Sequence, residues 1–314
     1  MRIGLDMMGG DFAPEQSCLG VRRFLESYTD CHLVLLGDEE AIRTGLPEWQ
    51  SLPVTIVPTS GEIGMHEHPT RAMKEKQSSA MVQGFGLLAA DKTDAFISAG
   101  NTGVMLVGAS HMVKTIEGLL RPTIPTPVPQ IQGGKSLMLD IGINADCKPE
   151  YLNQFAVLGS FYAREILGTE NPSVALLNIG EEEGKGNLLA QAAYPLLKQN
   201  QKINFIGNIE GRDILDNKAD IIITDGFTGN ILLKFAESLY DVIRVKGQVE
   251  SAFLDQFNHR LYAGVPVLGI RKPVVVGHGV SNAESFAGML ELARKLIISK
   301  MCFKMENAFT ELPE

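Results

Sequence analysis

Short runs of β-branched residues alternate with longer amphipathic segments along the whole chain. At this spacing the alternation predicts an α/β fold with three layers, α/β/α, around a mainly parallel sheet. Helical spacing of apolar residues is clear at 151–167 and 188–199. The predicted strands are 3–6, 33–37, 54–58, 95–99, 137–141, 174–179, 203–206, 221–224 and 274–277.

The length of 314 residues suits one large or two modest domains. We expect a single domain over 1–314. Prolines crowd the segment RPTIPTPVP at 121–129, where their spacing excludes a helix and a central strand. We therefore predict an extended connector there. A lobe boundary near residue 130 and an ordinary surface loop within one domain are the two alternatives.

Composition excludes several classes of protein. The net charge of −9 argues against a nucleic-acid binder, which needs a basic face. No apolar run approaches the roughly 18 to 20 residues of a membrane span. The N-terminus reads as a strand and not as a signal peptide, so we expect a cytoplasmic protein.

Neither a metal nor a cofactor is expected. The four cysteines are far apart and form no CxxC pair, which indicates buried apolar residues, with a nucleophilic cysteine as the alternative. His66 and His68 resemble a metal pair but lack a third ligand. The chain also lacks GxGxxG and GxxxxGK[ST], the loops typical of dinucleotide and nucleotide sites.

Glycine, asparagine and aspartate follow most of the predicted strands. The carboxyl ends of parallel strands share one edge of a sheet, where ligands bind. Glycine allows close approach of the backbone, and free amides at helix starts hold anions. The sequence therefore predicts a phosphate or carboxylate site. Its candidate binding residues are Asp6, Gly9, Gly10, Asn101, Asn144, Gly184, Arg212, Asp225 and Gly229.

Three further residues are candidate catalytic groups, each with a structural alternative. Lys185 can bind phosphate or an oxyanion, or merely balance the three glutamates before it. Asn230 can donate to a carbonyl oxygen or act only in helix capping, and Asn101 has the same two interpretations. His278 can protonate a leaving group or serve as a structural histidine. For Arg212 the alternative is a salt bridge to Glu210 or Asp213.

A helical hairpin insertion is predicted at about 231–262, as two helices at 231–245 and 249–262 that Gly247 separates. Such apolar stripes form a core or a dimer interface, dock an acyl chain on an acidic carrier protein, or contact a membrane surface.

Seven motifs in order resemble one bacterial family, the phosphate acyltransferases of phospholipid synthesis (the PlsX family). They are DMMGGDFAPE at 6–15, SAGNTG at 98–103, NADCKPEYLNQFA at 144–156, LLNIGEEEGKGN at 176–187, GNIEGRD at 207–213, TDGFTGNILLK at 224–234 and GHGVSNA at 277–283. They cover nearly the whole chain, and EEEGKGN and DGFTGN are the specific ones. The segment before YAGVPVLG at 262–269 is shorter than is usual in the family, and Ile143 replaces a small residue.

The resemblance implies reversible formation of acyl phosphate from acyl-acyl-carrier-protein and inorganic phosphate. It implies a homodimer with a fold like that of phosphate acetyltransferases and isopropylmalate dehydrogenases, without metal or dinucleotide. Lys185 and Asn230 fall on motif positions that line the family's site. A membrane glycerol-3-phosphate acyltransferase would take the product, and a peripheral position at the inner face of the membrane is an option.

Three other functions stay open at this point. The first is a CoA-dependent phosphate acyltransferase, and the second is a non-catalytic subunit that binds a carrier protein. A dehydrogenase is the more distant third.

Overall fold

The computed structural model of the chain describes residues 1–258 and 263–310, which form two compact units. The first contains Met1–Glu117 and the described residues from 263 to Glu306, and the second contains Gly118–Asn258 and residues 307–310. The division between the units at Glu117 and Gly118 precedes the Pro-rich segment at 121–129.

Eleven strands and eleven α-helices are found in the described residues. The strands are β1 (Arg2–Asp6), β2 (His32–Gly37), β3 (Val54–Pro58), β4 (Ala95–Ser98), β5 (Thr126–Pro129), β6 (Lys135–Leu139), β7 (Ser173–Asn178), β8 (Asn204–Glu210), β9 (Ile221–Ile223), β10 (Val265–Pro266) and β11 (Val274–Val276). The helices are α1 (Glu15–Ser27), α2 (Glu39–Gly45), α3 (Pro69–Glu75), α4 (Ala80–Ala89), α5 (Thr102–Gly108), α6 (Pro149–Tyr162), α7 (Leu188–Gln199), α8 (Gly226–Tyr240), α9 (Ala252–Asp255), α10 (Ala283–Ile298) and α11 (Met301–Thr310). Helices α5, α6 and α8 continue as π-helical turns at Ala109–Lys114, Ala163–Leu167 and Asp241–Lys246.

The first unit contains a six-stranded sheet in the order β10-β11-β4-β1-β2-β3. All neighbours in it are parallel except β10 and β11. Consecutive residues of the central strand β1 are buried, with Ile3 and Leu5 fully so. Burial of successive residues means that both faces of this strand are covered, as expected in a parallel sheet.

The second unit contains a five-stranded sheet in the order β5-β6-β9-β7-β8, parallel except for β5. Apolar residues of these strands and of the turns beside them form one buried cluster, which includes Met138, Ala175, Ile209 and Ile222. The carboxyl ends of β6, β9, β7 and β8 therefore lie along one edge, in that order.

The predicted α/β class with mainly parallel strands is confirmed, and all nine predicted strands are present. They are divided over two sheets, however, and not collected in one. The segment predicted as an extended connector contains β5, an edge strand antiparallel to β6. An edge position suits its two prolines, which have no N–H to donate.

The predicted helical hairpin is only half present. Helix α8 and its π-helical extension cover the first predicted helix, up to Lys246. In place of the second helix the described residues show only the four-residue α9, and 259–262 lie outside them. Within the described ranges no helix combines the length and the apolar character that a membrane span requires.

Candidate functional site

Asp6 ends β1 in the centre of the first sheet and is only 2% exposed. Its Oδ2 accepts a hydrogen bond from Ser98 Oγ at 2.7 Å, and its Oδ1 accepts one from the Met8 amide at 3.0 Å. Burial raises the pKa of Asp6 to about 6, against the opposing effect of these hydrogen bonds. Gly9 and Gly10 follow, and a Cβ on Gly9 would lie 2.9 Å from Asp6 Oδ2.

A cavity of about 560 Å³ opens at the carboxyl ends of β1, β2, β3 and β4, a size that suits a small ligand. Asp6, Gly9 and Gly10 line it, as the sequence predicted for a binding site. The described lining residues also include Asp11, Asp38 and Glu62, but no lysine, arginine or histidine. A wall with four carboxyl groups and no cation is electrostatically unfavourable for phosphate.

Asn101 forms the start of α5 and is 4% exposed. Its Oδ1 accepts the Val104 amide at 3.0 Å, which is the helix-cap alternative expected from the sequence. Its Nδ2 donates to the carbonyl oxygens of Gly64, Met65 and Glu67 at 3.0–3.1 Å. Asn101 therefore fastens part of the cavity wall to α5 with both of its amide hydrogens.

His278 follows β11, which pairs with β4 in the same sheet. The imidazole is exposed, and its Nδ1 accepts the Val280 amide at 3.4 Å. The backbone carbonyl of His278 accepts the Ser281 amide at 2.9 Å, which closes a tight turn. A neutral imidazole that accepts through Nδ1 carries its proton on Nε2.

Asp140 follows β6 in the second unit and is fully buried. Its Oδ2 accepts the backbone amide of Asn144 at 2.6 Å and the Asn144 Nδ2 at 2.8 Å. Asn144 Nδ2 also donates to the Pro122 carbonyl at 2.9 Å, and the Asn144 carbonyl accepts the Gly226 amide at 2.9 Å. Burial raises the pKa of Asp140. Asn144 is thus held in place by contacts within its own unit.

Helix α8 begins against this turn. Asp225 caps it, because its Oδ1 accepts the third amide of the helix at 2.8 Å. Gly229 packs so closely that a Cβ there would fall 1.9 Å from the carbonyl oxygen of Asp140, so no other residue fits without displacement. Asn230 Nδ2 donates to the Ile141 carbonyl at 3.2 Å. The first turn of α8 is therefore fixed on the carboxyl end of β6.

Lys185 lies in the loop after β7 and is exposed. The sequence offered the three preceding glutamates as its ionic partners, but the structure pairs two of them with other lysines. Glu181 contacts Lys218 Nζ at 2.9 Å, and Glu183 contacts Lys198 Nζ at 2.8 Å. Among the described residues no carboxylate oxygen lies within 4.0 Å of Lys185 Nζ. Lys185 is therefore an exposed lysine that forms no ion pair with Glu181 or Glu183.

Arg212 follows β8, in a short 3₁₀ turn, and its side chain is 74% exposed. Its guanidinium contacts Glu210 at 2.9 Å, which is the salt bridge that the sequence offered as the alternative to phosphate binding. Gly184 lies in the exposed loop beside Lys185, with open space where a Cβ would lie.

Each unit collects its own predicted residues at the carboxyl edge of its sheet. The first unit contains Asp6, Gly9, Gly10, Asn101 and His278, and the second contains Asn144, Gly184, Lys185, Arg212, Asp225, Gly229 and Asn230. Three polar residues that organise the second edge were not predicted: Asp140, Asn178 and Asn208. Asp140 could have been found, since it ends a strand as Asp6 does. The two asparagines lie in the glycine- and asparagine-rich turns after predicted strands, a pattern that located them but did not set them apart from capping residues.

The cysteines do not resemble nucleophiles. Burial raises the pKa of Cys18 and Cys31 to about 11, and that of Cys147 and Cys302 to about 12. A thiol with such a pKa holds little thiolate near neutral pH. In the described part of the chain, no group of three or more His, Cys, Asp or Glu side chains is arranged to hold a metal ion.

Comparison with known proteins agrees with this architecture. The family described as "Fatty acid synthesis protein" matches residues 1–304. Proteins named phosphate acyltransferase from Dictyoglomus turgidum and Halothermothrix orenii are 40% and 39% identical, over 99% and 95% of both chains. The protein of that name from Nostoc punctiforme is 38% identical, over 98% of this chain and 96% of its own.

Solved structures show the same fold at low sequence identity. A branched-chain phosphotransacylase from Enterococcus faecalis has a TM-score of 0.64 at 16% identity, covering 95% of this chain and 99% of that one. A phosphotransacetylase from Streptococcus pyogenes has a TM-score of 0.62 at 17% identity, covering 95% and 94%. The match over residues 1–304 and the near-complete coverage of relatives at about 40% identity identify the family. The chain therefore belongs to the fatty acid synthesis protein family, and it is an acyltransferase.

Proposed function

We propose that the enzyme reversibly transfers a fatty acyl group from acyl-acyl-carrier-protein to inorganic phosphate. A phosphate oxygen attacks the thioester carbonyl carbon, and an oxyanion develops on the carbonyl oxygen. The carbon–sulfur bond then breaks, which gives an acyl phosphate and a carrier thiolate that takes up a proton. Both phosphate and the oxyanion need cations and neutral donors more than they need a protein nucleophile.

The main support for this proposal is that Lys185 has no ionic partner among the described residues. It is an exposed cation at the carboxyl edge of the second sheet, and the nearby glutamates 181 and 183 are paired with other lysines. Asn230 lies one strand away along the same edge, because β9 is the neighbour of β7. We propose that Lys185 binds phosphate and that Asn230 donates to an oxygen of the reacting groups. Arg212 is paired with Glu210, so in this proposal it adds positive charge near the site but does not bind phosphate.

The residues of the first unit take other roles in this proposal. For Asp6, Gly9 and Gly10 we propose contact with the thioester donor and not with phosphate, because their cavity holds four carboxyl groups and no cation. His278 is proposed as the proton donor to the leaving thiolate, a role that needs its imidazolium form, in which both ring nitrogens carry a proton. Replacing His278 by Gln should lower kcat, because an amide donates a hydrogen bond but does not protonate a leaving thiolate.

The test is a phosphate-dependent thioester cleavage assay in which hydroxylamine traps the acyl phosphate. Long-chain acyl-carrier-protein, long-chain acyl-CoA and acetyl-CoA are compared at equal concentration. We expect the highest kcat/KM with the carrier protein. A preference for either CoA ester would replace this proposal by a CoA-dependent phosphate acyltransferase. Turnover without added phosphate would exclude both.

Lys185→Ala tests the assignment of the site. We expect kcat/KM for phosphate to fall by about 100-fold or more, the typical loss when a charge-stabilising group is removed. Lys135→Ala is the matched control, because Lys135 is an exposed lysine at the opposite, amino end of the same sheet. Equal activity of both variants would remove Lys185 from the site.

We also propose a homodimer, on the basis of the exposed apolar face of α8 and its extension. Phe235, Leu239 and Val242 are 61%, 42% and 51% exposed and follow one another at helical spacing. The interpretation of this stripe as core is therefore wrong for these three residues. Phe235→Asp should lower the mass measured by analytical ultracentrifugation from two chains to one. An unchanged mass would leave carrier-protein or membrane contact as the role of this face.

A further inference from the structure

Three glutamates precede Lys185 in the loop from 179 to 187. In the described chain, however, the Lys185 ammonium has no ionic partner. Glu183 is two residues from Lys185, so rotation of its side chain can bring the two charges together. It instead contacts Lys198 on α7, at 2.8 Å. Glu181 is held in the same way by Lys218, at 2.9 Å. Glu182 Oε2 and Lys185 Cγ lie 2.9 Å and 3.0 Å from the position that a Cβ on Gly180 would occupy, so both side chains are close to Gly180.

Backbone contacts fix the loop that carries these side chains. Asn178 Nδ2 donates to the Lys185 carbonyl at 3.1 Å, and Asn208 Nδ2 donates to the Glu182 carbonyl at 2.9 Å. The Lys185 amide donates to the Glu182 carbonyl at 3.1 Å, which closes a turn. Gly186 then reverses the chain at a φ of +97°. With the backbone held, the charge next to Lys185 depends on where the glutamate side chains point.

We propose that Lys198 and Lys218 are positioning residues of the phosphate site, which hold Glu183 and Glu181 away from Lys185. This inference rests on the proposed function, in which Lys185 binds phosphate. A glutamate released from its lysine would pair with Lys185 and compete with phosphate for the same ammonium. Loss of a lysine that does not touch the substrate should then weaken phosphate binding.

Lys198 gives the cleaner test. Its side chain and that of Glu183 are 58% and 57% exposed, so removal of the pair leaves no buried charge. Lys218 also contacts Asp213 at 2.8 Å, and that side chain is only 6% exposed. Replacement of Lys218 would leave a buried carboxylate without its cation and would destabilise the fold.

For Lys198→Ala we expect the KM for phosphate to rise about two- to fivefold, the range of a single exposed ion pair. The kcat at saturating phosphate and the KM for the thioester should stay at their wild-type values. The double variant Lys198→Ala/Glu183→Ala should return the KM for phosphate to that of the wild type. Lys135→Ala, which loses the same charge at the far edge of the sheet, should not raise it.

The outcomes separate the two hypotheses. If Lys198→Ala matches Lys135→Ala, or if the double variant does not restore the KM, the positioning role is refuted. A purely structural salt bridge would lower the melting temperature without such a rescue. If Lys185→Ala leaves the phosphate dependence intact, then the proposed phosphate site fails and this inference fails with it. If Lys185→Ala abolishes turnover while Lys198→Ala changes nothing, only the inference fails.

Discussion

Asp6 makes the stability of the first unit depend on pH in the direction opposite to that of most carboxylates. Burial raises its pKa from 3.8 to about 6. Between these two values the folded chain holds a proton that the unfolded chain has lost. The free energy of unfolding therefore falls as the pH rises through this interval, and the loss is complete above pH 6.

The size of the effect follows from the shift. A difference of about 2 pH units corresponds to about 3 kcal/mol, at roughly 1.36 kcal/mol per unit. About half of this, roughly 1.4 kcal/mol, should appear between pH 5 and pH 8. Asp6→Asn removes the titration while it keeps the shape of the side chain. The variant should therefore gain about that much stability relative to the wild type over this range.

Urea unfolding followed by tryptophan fluorescence measures this difference. Trp49 is the only tryptophan and lies in the same unit as Asp6, so the signal reports on that unit. Asp11→Asn, which changes an exposed carboxylate on the same cavity, serves as the control and should follow the wild type. Parallel stability curves for wild type and Asp6→Asn from pH 5 to 8 would refute the reasoning.

Two further predictions concern the second unit. Gly229→Ala should lower the free energy of unfolding by about 1–3 kcal/mol or more, because its Cβ would fall 1.9 Å from a backbone oxygen. Gly86→Ala in α4 is the control: a Cβ there meets open space, so the variant should gain about 0.5–1 kcal/mol. Thermal unfolding compares the two variants, and equal shifts in melting temperature would contradict the packing argument. Cys147, whose pKa burial raises to about 12, should react with iodoacetamide at pH 8 about 1,000-fold more slowly than a thiol of pKa 9.0. Mass spectrometry of the native protein checks this rate, and fast alkylation would show that the thiol is not shielded.

The central strands were predictable because their signal is local. Successive buried apolar residues followed by glycine or aspartate define β1, β4, β6 and β9 without reference to the rest of the chain. The edge strands β5 and β10 were not, because each is short and contains proline. The division into two sheets could not be predicted either, because the sequence of a strand does not show to which of the two sheets it belongs.

The candidate site, like the strands, could be predicted only as far as its signal is local in sequence. The glycines and the capping residues Asn101 and Asp225 lie where the strand–turn–helix pattern put them. Whether a polar side chain keeps a donor for a ligand depended on contacts that are distant in sequence. Asn101 donates to residues about 35 positions earlier, and Lys218 reaches Glu181 across 37 positions. Local sequence therefore located these groups but did not show which were already engaged.

The edge strand β5 also limits how two copies of the chain can associate. An exposed strand normally offers N–H groups to a strand from another molecule, and that pairing leads to dimers with a continuous sheet or to aggregates. Pro127 and Pro129 withhold two of those groups along a strand of only four residues. Growth of the second sheet past β5 is therefore disfavoured, and two copies of the chain would have to associate through another surface.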